Sequence, residues 1–362
     1  MNKILVVILL SSVLLTSCWD ERILEDLALI TVITADLSDE GNIILGASYP
    51  EFSKGSNEAE AIIANKAWTT AEGIYKLSRL TDKLVIGGQA QVLLIGQELA
   101  RQGISNILDT LQRNVEISSN LYICITEGKA NDFLTKAFDD KPIDGFYISQ
   151  LVRKQERINE LPATSLSKFT NDFFSIRTDP ILPYLILKDK EFEAARTGIF
   201  VDDKFVDSIS TDETQLLIML RNDGTSSQFT LNVNPDKNEY ATISFVDSFT
   251  TVNVFREGER LKFDVNLKMT ADLIEYEARK IIHNEQTFNE IGKKFENHLQ
   301  KVANEVIARL QREYGSDPIG LGEYARPFYN SDMELNKWRE DFKASEINIS
   351  VDLKIERDGD FE

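Results

Sequence analysis

From Phe288 to Leu310 the apolar residues step by three and four: Phe288, Ile291, Phe295, Leu299, Val302, Val306 and Leu310. A stripe of that period is a long amphipathic helix whose apolar side must be covered by something else in the chain. Thr287 and Glu290 have the spacing of a capping box, and Gly315 and Pro318 supply a stop. Just upstream, Leu261, Phe263, Val265, Leu267 and Met269 alternate, as a strand with one buried face requires. "TISFV" and "TTVNVF" read as two more strands, and "EINISVDLKIERDG" as an alternating terminal one. A sheet backed by the helix satisfies both patterns, so the stripe is read as core and not as a binding site.

The rest of the chain adds short elements of both kinds. Ile30–Thr34 and Ile43–Tyr49 read as strands about the turn "SDEGN", and "EFSKGSNEAEA" as a polar loop. Trp68, Ala71, Ile74, Leu77 and Leu80 share one helical face over 67–80. "QVLLIG" is a short buried strand, "QELARQGISNILDTLQRN" two helices broken near Gly103, and "LYICIT" a strand containing Cys124. "TDETQLLIMLRN" reads as a helix capped by Thr211 or Asp212. Two boundaries are placed, one in the segment containing Pro162, Pro180 and Pro183 and one at "NPDKNEY". The expected fold is α+β, in three mixed α/β domains (27–165, 166–236 and 237–362). The last is an antiparallel-type sheet packed on the long helix. At 362 residues, the chain has the length for this.

Residues 1–26 are of another character. Lys3 precedes the apolar run "ILVVILL", which is too short and wrongly flanked for a confident spanning helix and reads as a secretory signal. Leu15-Thr16-Ser17-Cys18 resembles the bacterial lipobox. The reading is a signal peptide over 1–17, cleavage before Cys18, a diacylglyceryl group on its thiol, and a tether over 18–26. Cys124 is the only other cysteine, and its strand context suggests a buried inert thiol rather than half of a disulfide. Two acyl chains suffice for stable anchoring at about 0.8 kcal/mol per buried CH₂.

Charge excludes some functions. The net charge is −19, and removal of residues 1–17 takes away Lys3 and no acid. Such a surface repels phosphate backbones and anionic lipid headgroups, so no nucleic-acid partner is expected, and attachment to a membrane would have to be hydrophobic or covalent rather than through a basic patch. Catalytic constellations are missing as well. His283 and His298 are the only histidines, fifteen residues apart, with no cysteine or paired acid at ligand spacing, so no metal is expected. There is no G-x-S-x-G. "IGGQAQ" lacks both the P-loop lysine and G-x-G-x-x-G, and reads as a tight turn. The chain is therefore read as non-enzymatic and without a cofactor.

The most distinctive loop is "GSDPIGLGEYARP", residues 315–327. Asp317-Pro318 starts a turn, Gly320 and Gly322 free the backbone around Leu321, and Trp338 follows. The favoured reading is structural: the loop pins the long helix to its sheet. The alternative is a partner or ligand loop. Phe173 and Phe174 are likewise read as core before contact surface.

Several of these stretches together resemble the Ger(x)C family, the C-subunit lipoproteins of spore germinant receptors. They are "CWDERILEDLALITVITAD", "LVIGGQAQVLLIGQELARQGISNILDTLQRNVEI", "GKANDFL", "DPILP" with "TGIFVDDKFVDSISTDET", and "SDPIGLGEYAR" with Trp338 and "VDLKIERDG". They cover the mature chain in order. Gln89 stands where many members have histidine. The resemblance implies a three-domain α+β lipoprotein on the outer face of the spore inner membrane. It would assemble with two polytopic subunits, one transporter-like and one with a large soluble part, and carry no catalytic residues. Asp317, Gly320, Gly322 and Trp338 belong to the family's C-terminal block. The competing function is a solute-binding lipoprotein of a transporter. That would show repeated strand–helix units about a central hinge, and the antiparallel-looking C-terminal sheet speaks against it. A surface-attached hydrolase fits least.

Overall fold

A computed structural model describes residues 24–51, 59–135, 145–162, 164–188, 191–225, 228–276, 285–329 and 333–356. Cys18, with the rest of residues 1–23, and His283 lie outside the described residues. In chain order the first elements are β1 (Leu27–Leu29), β2 (Val32–Leu37), β3 (Ile43–Glu51), β4 (Ala59–Ala67), α1 (Thr70–Leu77), β5 (Leu84–Ile86) and β6 (Val92–Gly96). Then come α2 (Gln97–Gln102), α3 (Ser105–Arg113), β7 (Tyr122–Thr126), α4 (Ala130–Thr135), α5 (Gly145–Arg157) and α6 (Leu166–Phe174). The strands β8 (Ile181–Lys188), β9 (Glu191–Val201) and β10 (Lys204–Ile209) follow.

Eight of these strands form one sheet in the order β10-β9-β8-β7-β6-β2-β3-β4, while β1 and β5 make a separate short parallel pair. The centre is parallel, from β2 through β6 and β7 to β8, and both flanks are antiparallel hairpins. A parallel centre is covered on both faces, which is why β6 reads as an unbroken apolar run. Leu93 and Ile95 face α2, α3 and α6 through Leu99, Ile107, Leu111 and Phe169. Val92 and Leu94, with Cys124 of β7, face α4 and α5 through Phe133, Ile148 and Val152. Cys124 is a fully buried free thiol, and burial raises its pKa far above the ordinary cysteine value.

The second sheet begins after α7 (Thr211–Leu220), with β11 (Gln228–Asn234), β12 (Glu239–Glu257) and β13 (Arg260–Tyr276). The long helix α8 (Glu285–Ala308) continues into one π-helical stretch, Arg309–Tyr314. Then come α9 (Leu321–Ala325), α10 (Leu335–Ala344) and β14 (Glu346–Glu356). The sheet order is β11-β12-β13-β14. It is antiparallel as far as β13; β14 then lies parallel to β13, because the helical crossover returns the chain to the end where β13 began. Leu261, Phe263, Val265, Leu267 and Met269 all face inward against Ile291, Phe295, Leu299, Val306 and Leu310, as the two periodicities required. Each fully buried Phe here contributes about 2–3 kcal/mol.

Some local expectations give way to tertiary context. "TISFV" and "TTVNVF" are halves of the single strand β12, whose register shifts between Phe245 and Asp247. Thr287 lies inside α8 and not before it. The cap of α7 is Ser210, which exchanges hydrogen bonds with Glu213, and not Thr211 or Asp212. Trp68 and Leu80 fall outside α1 and are exposed. Residues 166–236 contribute to both sheets: β8, β9 and β10 extend the first, and β11 starts the second.

Two strand edges are occupied by side-chain amides. Gln300 of α8 donates to the Ile349 carbonyl at 2.8 Å and accepts from the Val351 N–H at 2.9 Å, along the free side of β14. Asn222 does the same to Thr250 of β12, at 3.0 and 2.7 Å. Each amide stands in for one rung of a neighbouring strand, which blunts an edge that would otherwise pair with another chain.

Candidate functional site

The loop after α8 sits at the seam between the two sheets. Gly315 ends the π turn with φ +66°, and Ser316 then donates its hydroxyl to the Phe200 carbonyl of β9 at 2.7 Å. Asp317 follows, almost wholly buried. Its Oδ1 accepts the N–H groups of Gly320 and Leu321 at 2.9 and 3.1 Å, and its Oδ2 accepts that of Gly322 at 2.9 Å. The carboxylate thus ties the chain around the start of α9 and satisfies amides that no helical carbonyl reaches. Gly320 has φ +83°, a conformation that side chains resist. Gly322 is required for a different reason: a Cβ there would lie 2.7 Å from the Arg177 Cα and 3.0 Å from the Trp338 ring.

Asp317 is also bonded across the seam through its backbone. Its N–H donates to Asp179 Oδ2 at 2.7 Å, and the Asp179 N–H donates back to the Asp317 carbonyl at 2.9 Å. Asp179 precedes β8, so this exchange joins the first sheet to the loop of the second. Arg339 of α10 completes it. One Nη reaches Asp179 Oδ1 at 3.0 Å, and both reach Asp202, in the β9–β10 turn, at 2.8 Å each. Next to Arg339, Trp338 is buried edge-on to Phe263, with centroids 6.2 Å apart, and against Phe342 at 5.6 Å. On the other flank Arg221, at the end of α7, donates to the Pro318 carbonyl and pairs with Asp223 and Asp172.

The electrostatics follow from burial. Loss of water pushes the Asp317 carboxyl up to about 7; the amides of Gly320, Leu321 and Gly322 pull the other way, and nearby Asp179 adds to the rise. Asp179 is also raised by burial, against its bond to the Asp317 amide and the charge of Arg339. Every carboxylate at the seam is engaged with a backbone amide or a guanidinium. The arrangement holds two sheets together and offers no nucleophile beside a base.

The other residues singled out by sequence are scattered. Asp36, the last residue of "CWDERILEDLALITVITAD" and near the end of β2, accepts the N–H groups of Ala130 and Asn131 at 2.7 and 2.8 Å, and so caps α4. Gln89 is exposed in a single 3-10 turn. Phe173 packs against the first core, whereas Phe174 is 75% exposed. The His298 ring lies 5.7 Å from that of Phe229. Among the described residues no group of three or more metal-ligating side chains occurs, and no helix is long and apolar enough to cross a membrane. Sequence reasoning missed Asp179, Asp202, Arg221 and Arg339. The hints were of position alone: Asp179 opens "DPILP", Asp202 lies in "TGIFVDDKFVDSISTDET", and Arg339 follows Trp338.

A mixed sheet and a second sheet with a helical crossover define an α+β fold that is similar to the crystal structure of the GerBC protein. The TM-score is 0.55 at 18% identity, over 89% of this chain and 96% of that one. Residues 20–187 match the family described as spore germination protein N-terminal domain, and residues 195–359 match spore germination B3/GerAC-like, C-terminal. The chain belongs to this Ger(x)C family of spore germination proteins. It is 23% identical over 357 residues to spore germination protein GerQC of Bacillus cereus, across 98% of each chain. It is 24% identical over 369 residues to spore germination protein B3 of Bacillus subtilis (strain 168), across 94% of each.

Proposed function

We infer that the chain is the lipid-anchored, non-enzymatic C subunit of a nutrient germinant receptor in the spore inner membrane. The observation that carries this reading is the full-length family match, whose two parts span residues 20–187 and 195–359, directly behind a lipobox cysteine. On this reading residues 1–17 are removed, Cys18 carries the lipid, and 18–26 tether the folded body to the outer face of the membrane. Two polytopic subunits, one transporter-like and one with a large soluble part, complete the receptor. Asp317, Gly320, Gly322 and Trp338 act structurally, keeping the two sheets in one arrangement for those partners. The carboxylates of the seam, all engaged, support a role without catalysis.

Deletion of the coding sequence in the sporulating host tests the reading. Germination is expected to fail for a subset of single nutrients, and an unchanged response to every nutrient refutes it. Metabolic labelling with a lipid analogue should mark the wild type and not Cys18→Ala. Pull-down from spore membranes should recover polytopic partners; recovery of a transporter ATPase instead would favour the solute-binding alternative.

A further inference from the structure

The short pair β1 and β5 places a particular corner of the protein beside the tether. Leu24 is the first described residue, six positions after Cys18. Six residues reach at most about 20 Å when fully extended. A body of this chain length has a radius of gyration of about 20 Å, so only the part near Leu24 can lie close to an anchored Cys18. The register Leu27↔Leu84 sets what that part is. It brings the segment 75–84 alongside the end of the tether.

That segment combines exposed apolar side chains with cations that have no acidic partner among the described residues. Tyr75, Leu80 and Leu84 are 64%, 52% and 54% exposed, and Leu24 is 52% exposed. In a chain of net charge −19, residues 73–89 carry three basic side chains and one acidic one, Asp82. Lys76 is paired with Glu72 at 2.7 Å. Arg79 and Lys83 instead lie over the rings of Tyr75 and Tyr49, at 5.6 and 5.7 Å, and neither has an ion pair among the described residues. Leucine tips beside unpaired cations and a tyrosine suit the boundary between headgroups and acyl chains, where apolar atoms bury and cations meet phosphate. Glu25 and Asp26 next to Leu24 cancel that excess, so the corner as a whole is not basic. The leucines therefore carry the contact, and the cations orient it.

Resting on the lipid anchor at Cys18, we propose that this corner, formed by Leu24, Tyr75, Arg79, Leu80, Lys83 and Leu84, seats the first domain directly on the phospholipid surface. The second sheet, attached through the seam, then stands away from the bilayer. The tether fixes distance, and the corner fixes orientation.

The test uses the full acylated chain in phospholipid vesicles without partner subunits. Single variants Leu80→Cys, Leu84→Cys and Thr251→Cys are labelled with an environment-sensitive fluorophore. Cys18 is blocked by its lipid, and Cys124 is buried. Vesicles containing doxyl-labelled lipid are expected to quench the probe at 80 and 84 and leave the probe at 251, on the exposed face of β12, unchanged. Addition of Arg79→Glu and Lys83→Glu should lower quenching at 80 without loss of flotation. Protein that floats with no quenching at 80 and 84 overturns the seating while the anchor stands; a face meant for a protein partner gives that result. Protein that fails to float overturns the anchor and the seating together.

Discussion

Asp317→Asn isolates the electrostatics of the seam. The two side chains have nearly the same shape, but Asn replaces one acceptor oxygen by an NH₂ facing an amide N–H. The lost hydrogen bond to a charged acceptor costs about 1.5–3 kcal/mol. Against this stands the cost of a buried charge. The Asp317 pKa rises from 3.8 to about 7 on folding, so the folded state holds its proton more tightly. Below about pH 4 both states are protonated and no penalty exists. As pH rises from there, the unfolded chain ionises first and stability falls; above pH 7 the full penalty of about 4 kcal/mol applies and no longer changes. Between pH 5 and 7.5 the wild type therefore loses about 2.5 kcal/mol from this one group, and Asp317→Asn loses none of it. Urea unfolding of both proteins at the two pH values measures this, with contributions from Asp179 and Asp36 largely cancelling in the difference. The mutant's deficit should shrink by that amount on going to pH 7.5. A deficit that stays constant or widens refutes the reasoning, since it would mean that the three amides outweigh burial.

Other perturbations separate the remaining contributions. Gly322→Ala drives a Cβ into the backbone of Arg177 and should cost about 1–3 kcal/mol as overpacking, read as a lowered thermal midpoint. Arg339→Ala leaves Asp179 buried without its cation and should cost about 3–5 kcal/mol in chemical unfolding. Arg177→Ala, which breaks the more exposed pair with Glu323, should cost less than about 1 kcal/mol, and equal losses in the two variants would contradict the assignment. Gln300→Ala removes the amide that covers the β14 edge. Faster hydrogen exchange at Val351 is expected, with no such change at the β13-paired amides.

The C-terminal unit was the most legible part of the sequence because both of its elements have strong periods. Phe295 and Leu299 on the helix, and Phe263 and Val265 on the strand, meet as their patterns demand. Parallel pairing of β14 was not legible, since alternation assigns a face and not a direction. The first sheet was legible as alternating strands and helices, but its extent was not. Short strands such as β8 reveal no partner, and Ile125↔Tyr184 joins residues 59 positions apart. At the seam, Asp317, Gly320, Gly322 and Trp338 stood out by local chemistry. Asp179 and Arg339 did not, because their pairing depends on a contact across 160 residues.

That separation has a consequence for how the chain is made. The first sheet is complete in sequence at Ile209, yet Asp179 waits 138 residues for the Asp317 amide, and the Phe200 carbonyl 116 for Ser316. A chain emerging from its N-terminus thus presents a finished sheet with an open polar flank. Closing contacts of such separation is slow, since the loop entropy is lost before any bond forms. The seam is expected to close late in folding, and residues up to 209 on their own are a sheet whose last partners have not arrived.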